Sequence, residues 1–594
     1  MSKVWFDERS LNEKYEYGLL AICILLILNL VLIAIKRLQP VANNPPKQPR
    51  FRKRDKVIFY GRKMLRKVRT SFQKSGNHRI FRLNHYLHPE FVSLRPNQNY
   101  SAVTIIGASD DVPLEAFCVE LNQALTSIAT VITLSSDYIR EVLGPRAFDV
   151  SNENKLSTWL KEQRDQYRII LYQCDRTFTT WSHRCIRTAD CILVVGLANS
   201  PPTVGRVEKQ LDSLAFKTQK ELVLLHSNPS KSPENTVLWL NMRAWCSWHH
   251  HIRCPKRMFI KKSPTKMKEY CAIVASEPTD IHSDLSRLAR FLTGRSVGLV
   301  LGGGGARGSA HAGMIKALLE EGIPIDMIGG VSIGAFMGAL YCQESDFNKF
   351  KDKARHWALE MTSYWRQILD LTYPVTAMFT GAAFNRTIHN VFGEKQIEDL
   401  WLPFFCITTD ISSSCMRIHR YGSLWRYVRS SMSLSGYLPP LCDPVDGHLL
   451  LDGGYVNNLP ADVMKEVMGA HTTLAVDVGS QDETDLFNYG DTLSGWWLLW
   501  KRWNPWATPV KVPSLPEIQS RLAFVSCVRQ LERVKNSSYC TYIRPPIDKF
   551  KTFQFGNFDE ISEVGYNHGK TILTPNLASD LLANTLIIRQ QKVG

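Results

Sequence analysis

Three short stretches carry residue types at spacings that suit acyl transfer. Gly302, Gly303, Gly304 and Gly305 lead into Ala306, Arg307 and Gly308. Gly330-Val331-Ser332-Ile333-Gly334 sets a serine between two glycines, and Asp452 is followed by Gly453 and Gly454. A serine hydroxyl is a weak nucleophile and has to be held beside a base. A Gly-x-Ser-x-Gly turn between a strand and a helix holds it exposed, because glycine relieves the crowding of a tight turn. The first N–H groups of the helix that follows lack helical acceptors and can face a developing oxyanion. A glycine loop offers more such donors with no side chains in the way. A carboxylate freed by glycines at a strand end can act as a base.

The surrounding pattern supplies the elements that must position these residues. The apolar run 297–301 reads as a buried strand feeding the glycine loop, and a helical pattern follows from Ala310 to Glu321. Gly322 and Pro324 end that helix. A second strand, 323–328, runs into the Gly-x-Ser-x-Gly turn, and a helical segment from Ala335 to Gln343 leaves it. Leu449, Leu450 and Leu451 form a strand that ends at Asp452, and further strands are expected at 403–409 and 474–478.

Two rivals compete for the same residues. Gly303, Gly305 and Gly308 match a G-x-G-x-x-G fingerprint, with Asp326 at about the 20-residue distance of a ribose-binding acid. The loop would then bind a nucleotide and Ser332 would be dispensable. A Ser-His-Asp hydrolase would instead need a histidine after the acid, and His471 and His568 are the candidates, with His448 near Asp452. Neither histidine that follows Asp452 sits in a recognisable loop motif.

Glycine loop, Gly-x-Ser-x-Gly and Asp-Gly-Gly, in this order, resemble the patatin-like phospholipases. The resemblance extends to SMSLSGYLPPLCDPVDGHLLLDGGYVNNLPADV (431–463) and DLTYPVTAMFTGAAFN (370–385), which look like the neuropathy target esterase branch. GDTLSGWWLLWKRWNPW (490–506) and YIRPPID (542–548) do so too, so the likeness covers Ala102 to about Lys570. It implies an α/β fold: a three-layer α/β/α catalytic domain, preceded by a second α/β domain and an N-terminal transmembrane helix. It implies a dyad without histidine, with Ser332 as nucleophile and Asp452 as general base. Gly303, Gly304, Gly305, Arg307 and Gly308 then form the oxyanion loop, Gly330 and Gly334 flank the elbow, and Gly453 and Gly454 complete the Asp-Gly-Gly motif. The implied activity is that of a lysophospholipase working through an acyl-serine, with lysophosphatidylcholine as substrate and diacyl phospholipids slower. No cofactor and no metal are implied, and the implied location is the endoplasmic reticulum membrane. In one respect the chain departs from the pattern. Family members of full length carry cyclic-nucleotide-binding domains between the anchor and this region, where a basic linker stands here, so regulation of that type is not expected.

The 594 residues leave room for several domains. The expected organisation is a short luminal segment (1–16), a transmembrane helix (17–35), a basic linker with an amphipathic helix (36–100) and an α/β accessory domain (101–280). The catalytic domain (295–480) and a C-terminal extension packed on it (481–594) complete the chain. The run 17–35 is apolar over 19 residues, close to the ~20 that cross a bilayer. Its acidic flank and the Lys36-Arg37 that follow argue against a cleaved signal peptide and put the catalytic side in the cytosol. Residues 36–70 hold thirteen Lys or Arg against one acid, which accounts for much of the net charge of +17. Tyr60, Met64, Val68 and Phe72 recur every four residues, so the segment reads as a basic amphipathic helix, either on an anionic membrane face or as a charge block that only sets topology. One segment is too little basic surface for nucleic-acid binding. Fourteen scattered cysteines with no C-x-x-C pair point to a reducing compartment.

In the accessory domain, strands are expected at 103–106, 131–134, 168–172, 191–195 and 221–226, with helices at 113–128 and 206–217 between them. Asp137, Asp175 and Asp190 read as caps and turns, and His249-His250-His251 as a solvated loop rather than a metal cluster. A helix is expected at 282–293. Phe336, Met337, Leu434 and Leu438 are candidates for an acyl groove, or plain core. Five tryptophans within 495–506 suit either a membrane boundary or a packed interdomain patch. Arg307 either stabilises charge in the loop or pins it to a carboxylate. Finally, an ordinary aspartate titrates at about 3.9, a poor match for a serine hydroxyl, so burial has to raise Asp452.

Overall fold

The computed structural model describes residues 99–581 apart from 212–217, 229–230, 261, 345, 364–367, 480–486, 505–506, 509, 511, 514 and 575–580. The chain divides into two compact units, Asn77–Gln481 with Leu515–Gly594, and Met1–Gly76 with Asp482–Ser514. The larger unit contains two sheets.

The first sheet comprises β1 (Ala102–Gly107), β2 (Val131–Leu134), β3 (Ile169–Gln173), β4 (Cys191–Leu197), β5 (Gln219–His226) and β6 (Trp248–Arg253). Their order is β2-β3-β1-β4-β5-β6 and every pairing is parallel. Strand β4, Cys-Ile-Leu-Val-Val-Gly-Leu, is buried on both faces, as a parallel sheet covered by helices requires. Five strands lie where the apolar runs predict them.

The sixth corrects the sequence reading. The three histidines are not a solvated loop but the middle of edge strand β6, with His250 and His251 at 3% and 2% exposure. Their side chains alternate between faces. His250 Nε2 lies 3.1 Å from Glu221 Oε2, and His251 Nδ1 lies 3.0 Å from His226 Nε2. His249 and His251 both reach the Glu398 carbonyl, at 3.0 Å, and so join this sheet to the connection that enters the second one. Burial pushes His226 down to about 4 and His251 well below its ordinary value, so both rings are neutral near pH 7. A run of polar residues hid a strand because its polar groups are satisfied by partners far away in sequence.

The second sheet comprises β7 (Val297–Leu301), β8 (Met327–Gly330), β9 (Phe404–Asp410), β10 (Cys415–His419), β11 (Leu441–Cys442), β12 (Leu449–Asp452), β13 (Thr472–Val476) and β14 (Cys540–Ile543). The order is β11-β12-β9-β8-β7-β13-β14, with β10 also on β9. Strands β9, β8, β7, β13 and β14 run parallel, whereas β10 and β12 run against β9. Strand β8 begins at Met327, four residues later than the sequence suggests. Pro324 and Asp326, the latter paired with Arg290 at 2.6 Å, keep the approach irregular. Strand β14 comes from the C-terminal stretch, which therefore contributes a strand to this sheet as well as packing on it.

Helices α1 (Leu114–Thr126) and α2 (Asp284–Leu292) cover the first sheet, and α3 (Ala310–Glu320) and α4 (Ile333–Glu344) follow β7 and β8 in the second. C-terminal helix α5 (Phe558–Ile572) lies on α3 with backbones in contact. A Cβ on Gly313 would fall 1.9 Å from Ser562 O, and one on Gly565 2.3 Å from Ala310 O.

Among the described residues no helix is long and apolar enough to cross a membrane. The apolar run 17–35 and the basic stretch 36–70 lie outside the described residues. In the smaller unit the helix Gly495–Trp503 is capped by the Ser494 hydroxyl and exposes Trp496 (83%) and Trp500 (58%).

Candidate active site

The glycine loop and the Gly-x-Ser-x-Gly turn leave the C-terminal ends of adjacent strands β7 and β8, where open α/β sheets place their ligands. The turn is tight. Ser332 has φ +54°, a left-handed conformation uncommon for a residue with a side chain. Its carbonyl accepts the first bonds of α4, from Ala335 N at 3.0 Å and Phe336 N at 3.2 Å. Gly334 passes so close to β7 that a Cβ would fall 2.1 Å from Leu301 O. Gly330 enters the turn as the last residue of β8. The Ser332 N–H donates to Ser431 Oγ at 3.0 Å, and that hydroxyl donates to Ile407 O at 2.6 Å, which ties the turn to β9.

Register brings the acid to the serine. Gly330 pairs with Cys406 on β9, and Asp452 of β12 pairs with Thr408, two residues further along. Asp452 therefore stands level with Ser332 across one intervening strand. The Ser332 hydroxyl donates to Asp452 Oδ2 at 2.8 Å, and the Gly454 N–H donates to Oδ1 at 2.8 Å. The Asp452 backbone is held by Ser433 O and Thr409 Oγ1. Gly453 packs under the turn against Ile407 O. Asp452 is 2% exposed, and burial pushes its carboxyl up to about 7 against the opposing hydrogen bonds from Gly454 and Ser332. Its carboxyl therefore changes charge near neutral pH rather than in the ordinary carboxylate range.

The glycine loop lies beside this pair. A Cβ on Gly303 would stand 3.1 Å from Ser332 Cβ. The Gly303 carbonyl accepts from Asn458 Nδ2 at 3.2 Å, and Ala306 N–H donates to Thr552 O at 2.7 Å. Among the described residues the Gly304 N–H meets no acceptor. Gly305 has φ +59°, and Gly308 packs on the Ile333 side chain. Behind the loop His311 is buried, pushed down to about 4 and neutral, so its Nε2–H donates to Gly302 O at 2.9 Å. Arg307 is 6% exposed with Nη2 at 3.5 Å from Thr552 Oγ1, and burial lowers its pKa.

Both rivals lose their supporting residues. Asp326 is buried, bound to Arg290 and accepting from Val297 N at 2.9 Å, which places it at the start of β7, the end opposite the glycine loop. It is not positioned to read a ribose there. His448 contacts Asp410, with Nδ1 2.7 Å from Oδ2, and the His471 N–H donates to Ser296 O at the start of β7. His568 lies on α5. Among the described residues no histidine hydrogen-bonds to Ser332 or Asp452. Phe336 and Met337 are buried core, with the Phe336 ring tilted against Trp357 at 4.1 Å, whereas Leu434 and Leu438 are half-buried beside the site. The sequence reading missed Ser431, Asn458 and Thr552. Each acts through a backbone contact that only the folded register creates.

A family description, the patatin-like phospholipases, matches residues 299–465, and another, the neuropathy target esterase family P-loop like domain, matches 99–294. The mouse patatin-like phospholipase domain-containing protein 6 is 60% identical over 477 residues, 80% of this chain and 35% of its own length. The mouse domain-containing protein 7 is 58% identical over 83% of this chain and 36% of its own. The neuropathy target esterase sws of Drosophila melanogaster is 60% identical over 79% and 33%. Among solved structures, VipD from Legionella pneumophila gives a TM-score of 0.26 at 13% identity over 47% of this chain and 67% of its own, too slight a likeness to build on. The chain belongs to the patatin-like phospholipases and, among them, to the neuropathy target esterases. It spans about a third of the length of these curated relatives.

The name of the N-terminal family raises the question of a nucleotide. The residues do not fit one. Strand β1 runs into Ala108-Ser109-Asp110-Asp111, with two exposed acids and no lysine where a phosphate loop has G-K-[ST]. The segment 202–205 closes over this point, and a Cβ on Gly205 would fall 2.5 Å from Ala108 O. Buried Arg243 holds that segment through Thr203 O at 3.0 Å and Glu208 at 2.7 Å. No step is assigned to a nucleotide here.

Proposed function

We propose that this protein is a serine lipid hydrolase that deacylates lysophosphatidylcholine and related phospholipids through a Ser332–Asp452 dyad. The observation that carries the reading is the 2.8 Å bond from a serine at φ +54° to a buried carboxylate raised to about 7. Asp452 takes the Ser332 proton as the hydroxyl oxygen attacks the ester carbonyl. Donors of the loop formed by Gly303, Gly304, Gly305, Arg307 and Gly308 receive the negative charge that develops, and loss of one such donor typically costs ~100- to 1000-fold in rate. The C–O bond to the glycerol oxygen breaks, and that oxygen leaves with the proton held by Asp452. Asp452 then takes a proton from water, whose oxygen attacks the acyl-serine; the fatty acid departs and Ser332 regains its hydrogen. The dyad is preferred over a triad because no histidine reaches it among the described residues.

The same proposal takes 17–35 as a single-pass anchor in the endoplasmic reticulum membrane, 36–100 as a basic linker, 101–280 as an accessory domain, 295–480 as the cytosolic catalytic domain and 481–594 as a C-terminal extension. The tryptophans of Gly495–Trp503 are assigned to a membrane boundary, which tryptophan favours. The test is fatty-acid release from lysophosphatidylcholine by the full chain in detergent, with fluorophosphonate labelling. Ser332→Ala should lose both labelling and turnover, and Asp452→Asn should lose turnover. Turnover that survives Asp452→Asn but needs a histidine would restore the triad.

A further inference from the structure

One element beside the active site has side chains that the chemistry above does not use. Residues 371–379 form a small hairpin, with Leu371 bridged to Phe379 and the Thr372 N–H on Met378 O at 3.0 Å. Leu369, Tyr373 and Val375 are 85%, 84% and 81% exposed, far more than a water-facing surface requires of three large apolar groups so close together. No charged residue occurs from Leu371 to Asn385. At the tip two backbone donors are out of reach of water: Pro374 has no N–H, and the Val375 N–H bonds to Tyr373 O at 2.8 Å. Satisfied backbone groups are what a segment entering a lipid phase needs.

The hairpin is built into the wall of the site. Met378 N–H donates to Gly436 O at 2.9 Å and Phe379 N–H to Tyr437 O at 3.0 Å. The same segment supplies Ser433 O, which accepts the Asp452 N–H, and Ser435, whose N–H donates to Tyr455 OH at 2.8 Å. Exposed Phe553 meets the Tyr437 ring at 5.2 Å and extends the apolar rim, and Lys549, Lys551 and Arg386 are exposed on the flanking segments. A convex, uncharged tip with cations at its base matches the profile of an anionic bilayer surface, apolar inside and negative at the headgroups. The polar groups of the exposed tip are the hydroxyls of Thr372, Tyr373 and Thr376, with no charge among them, which suits a headgroup boundary.

We propose that hairpin 371–379 is a lipid-surface wedge: it enters the outer leaflet and seats the mouth of the Ser332 site on the membrane, so that an acylated lipid reaches the serine without crossing water. This rests on the lipid-hydrolase reading. The test uses the full chain with phosphatidylcholine vesicles, with and without phosphatidylserine, and follows hydrogen exchange in peptides covering 371–379. Exchange there should slow on vesicles, and more so with phosphatidylserine. Tyr373→Asp with Val375→Asp should abolish that protection and cut turnover of vesicle-borne lysophospholipid at least ~10-fold, while turnover of a soluble short-chain ester stays within about twofold. Exchange that does not respond to vesicles, or equal losses on both substrates, would overturn the wedge. Exchange already slow without vesicles would mean that another part of this chain covers the hairpin. A wild type that hydrolyses neither substrate but still shows vesicle protection would sink the hydrolase reading and leave the docking intact.

Discussion

The two sheets of the larger unit are built alike and finish differently. Each is dominated by parallel strands, and each has glycine and aspartate at the carboxyl ends of its central strands. At the mouth of the first, Asp110 and Asp111 stay exposed to water, and the buried groups are engaged. Asp175 accepts from Ser136 and Thr179 at 2.6 Å, and the Arg243–Glu208 pair closes segment 202–205 over β1. At the mouth of the second, a serine stands in a strained conformation and the carboxylate facing it has no cation. Buried Asp284, Asp326 and Asp410 lie 2.7 Å or less from a guanidinium, whereas Asp452 has a hydroxyl and one backbone N–H. Strain and an unneutralised buried charge are costs that a structural domain removes and a reactive one keeps.

The sharpest way to test this difference is to cut the same chemistry from each mouth. Ser332→Ala or Asp452→Asn should lower turnover by at least about 1000-fold, because nucleophile and base act as a unit. Asp175→Asn, which removes a carboxylate from the other mouth, should leave turnover within about twofold, as expected for a change remote from the reacting atoms. Equal losses would mean that the two mouths are coupled. Conversely, the first mouth should show its effect in stability. Arg243→Met leaves buried Glu208 without its guanidinium and should cost on the order of 3 kcal/mol in urea unfolding.

A third expectation concerns protons. Asp452 must be ionised to accept the serine proton, and its carboxyl sits at about 7, so kcat/KM should fall about tenfold per pH unit below that point. A profile flat down to pH 5 would mean that Asp452 is not the base.

Much of this was legible in the chain. Apolar runs located five strands of the first sheet, and the glycine loop, Ser332 and Asp452 stood out because their chemistry needs those residue types at strand ends. What was not legible depends on contacts made across the sequence. Asp452 reaches Ser332 only because β12 runs against β9 with a particular offset, and no local pattern encodes that register. Its raised pKa needs burial by β9 and the 431–438 segment. Strand β6 looked polar because its histidines are satisfied by Glu221, His226 and Glu398. Strand β14 and helix α5 come from a region with weak periodicity, and the latter's seat on α3 is set by Gly313 and Gly565, two glycines far apart in sequence.

The smallest effect separates two aspartates of the same sheet. Asp452 is raised from an ordinary value near 4 to about 7 by burial. Between those values the folded chain keeps a proton that the unfolded chain has released, so stability declines as pH rises, and the penalty is complete above about 7. Asparagine carries no charge to desolvate, and its amide can still accept from Gly454 N–H. Asp452→Asn should therefore raise the melting temperature at pH 8, by on the order of 1–2 kcal/mol in stability, and leave it nearly unchanged at pH 4. Asp410 runs the other way. Burial opposes its charge, but hydrogen bonds from Ser413 and His448 and the Arg417 guanidinium outweigh it and hold the carboxyl well below its ordinary value. Its contribution is present above the ordinary carboxylate range and lost as pH falls, so Asp410→Asn should destabilise at pH 8. Thermal melts of the two variants at pH 4 and pH 8 read both signs. A destabilising Asp452→Asn at pH 8 would show that Asp452 is a structural carboxylate like Asp410.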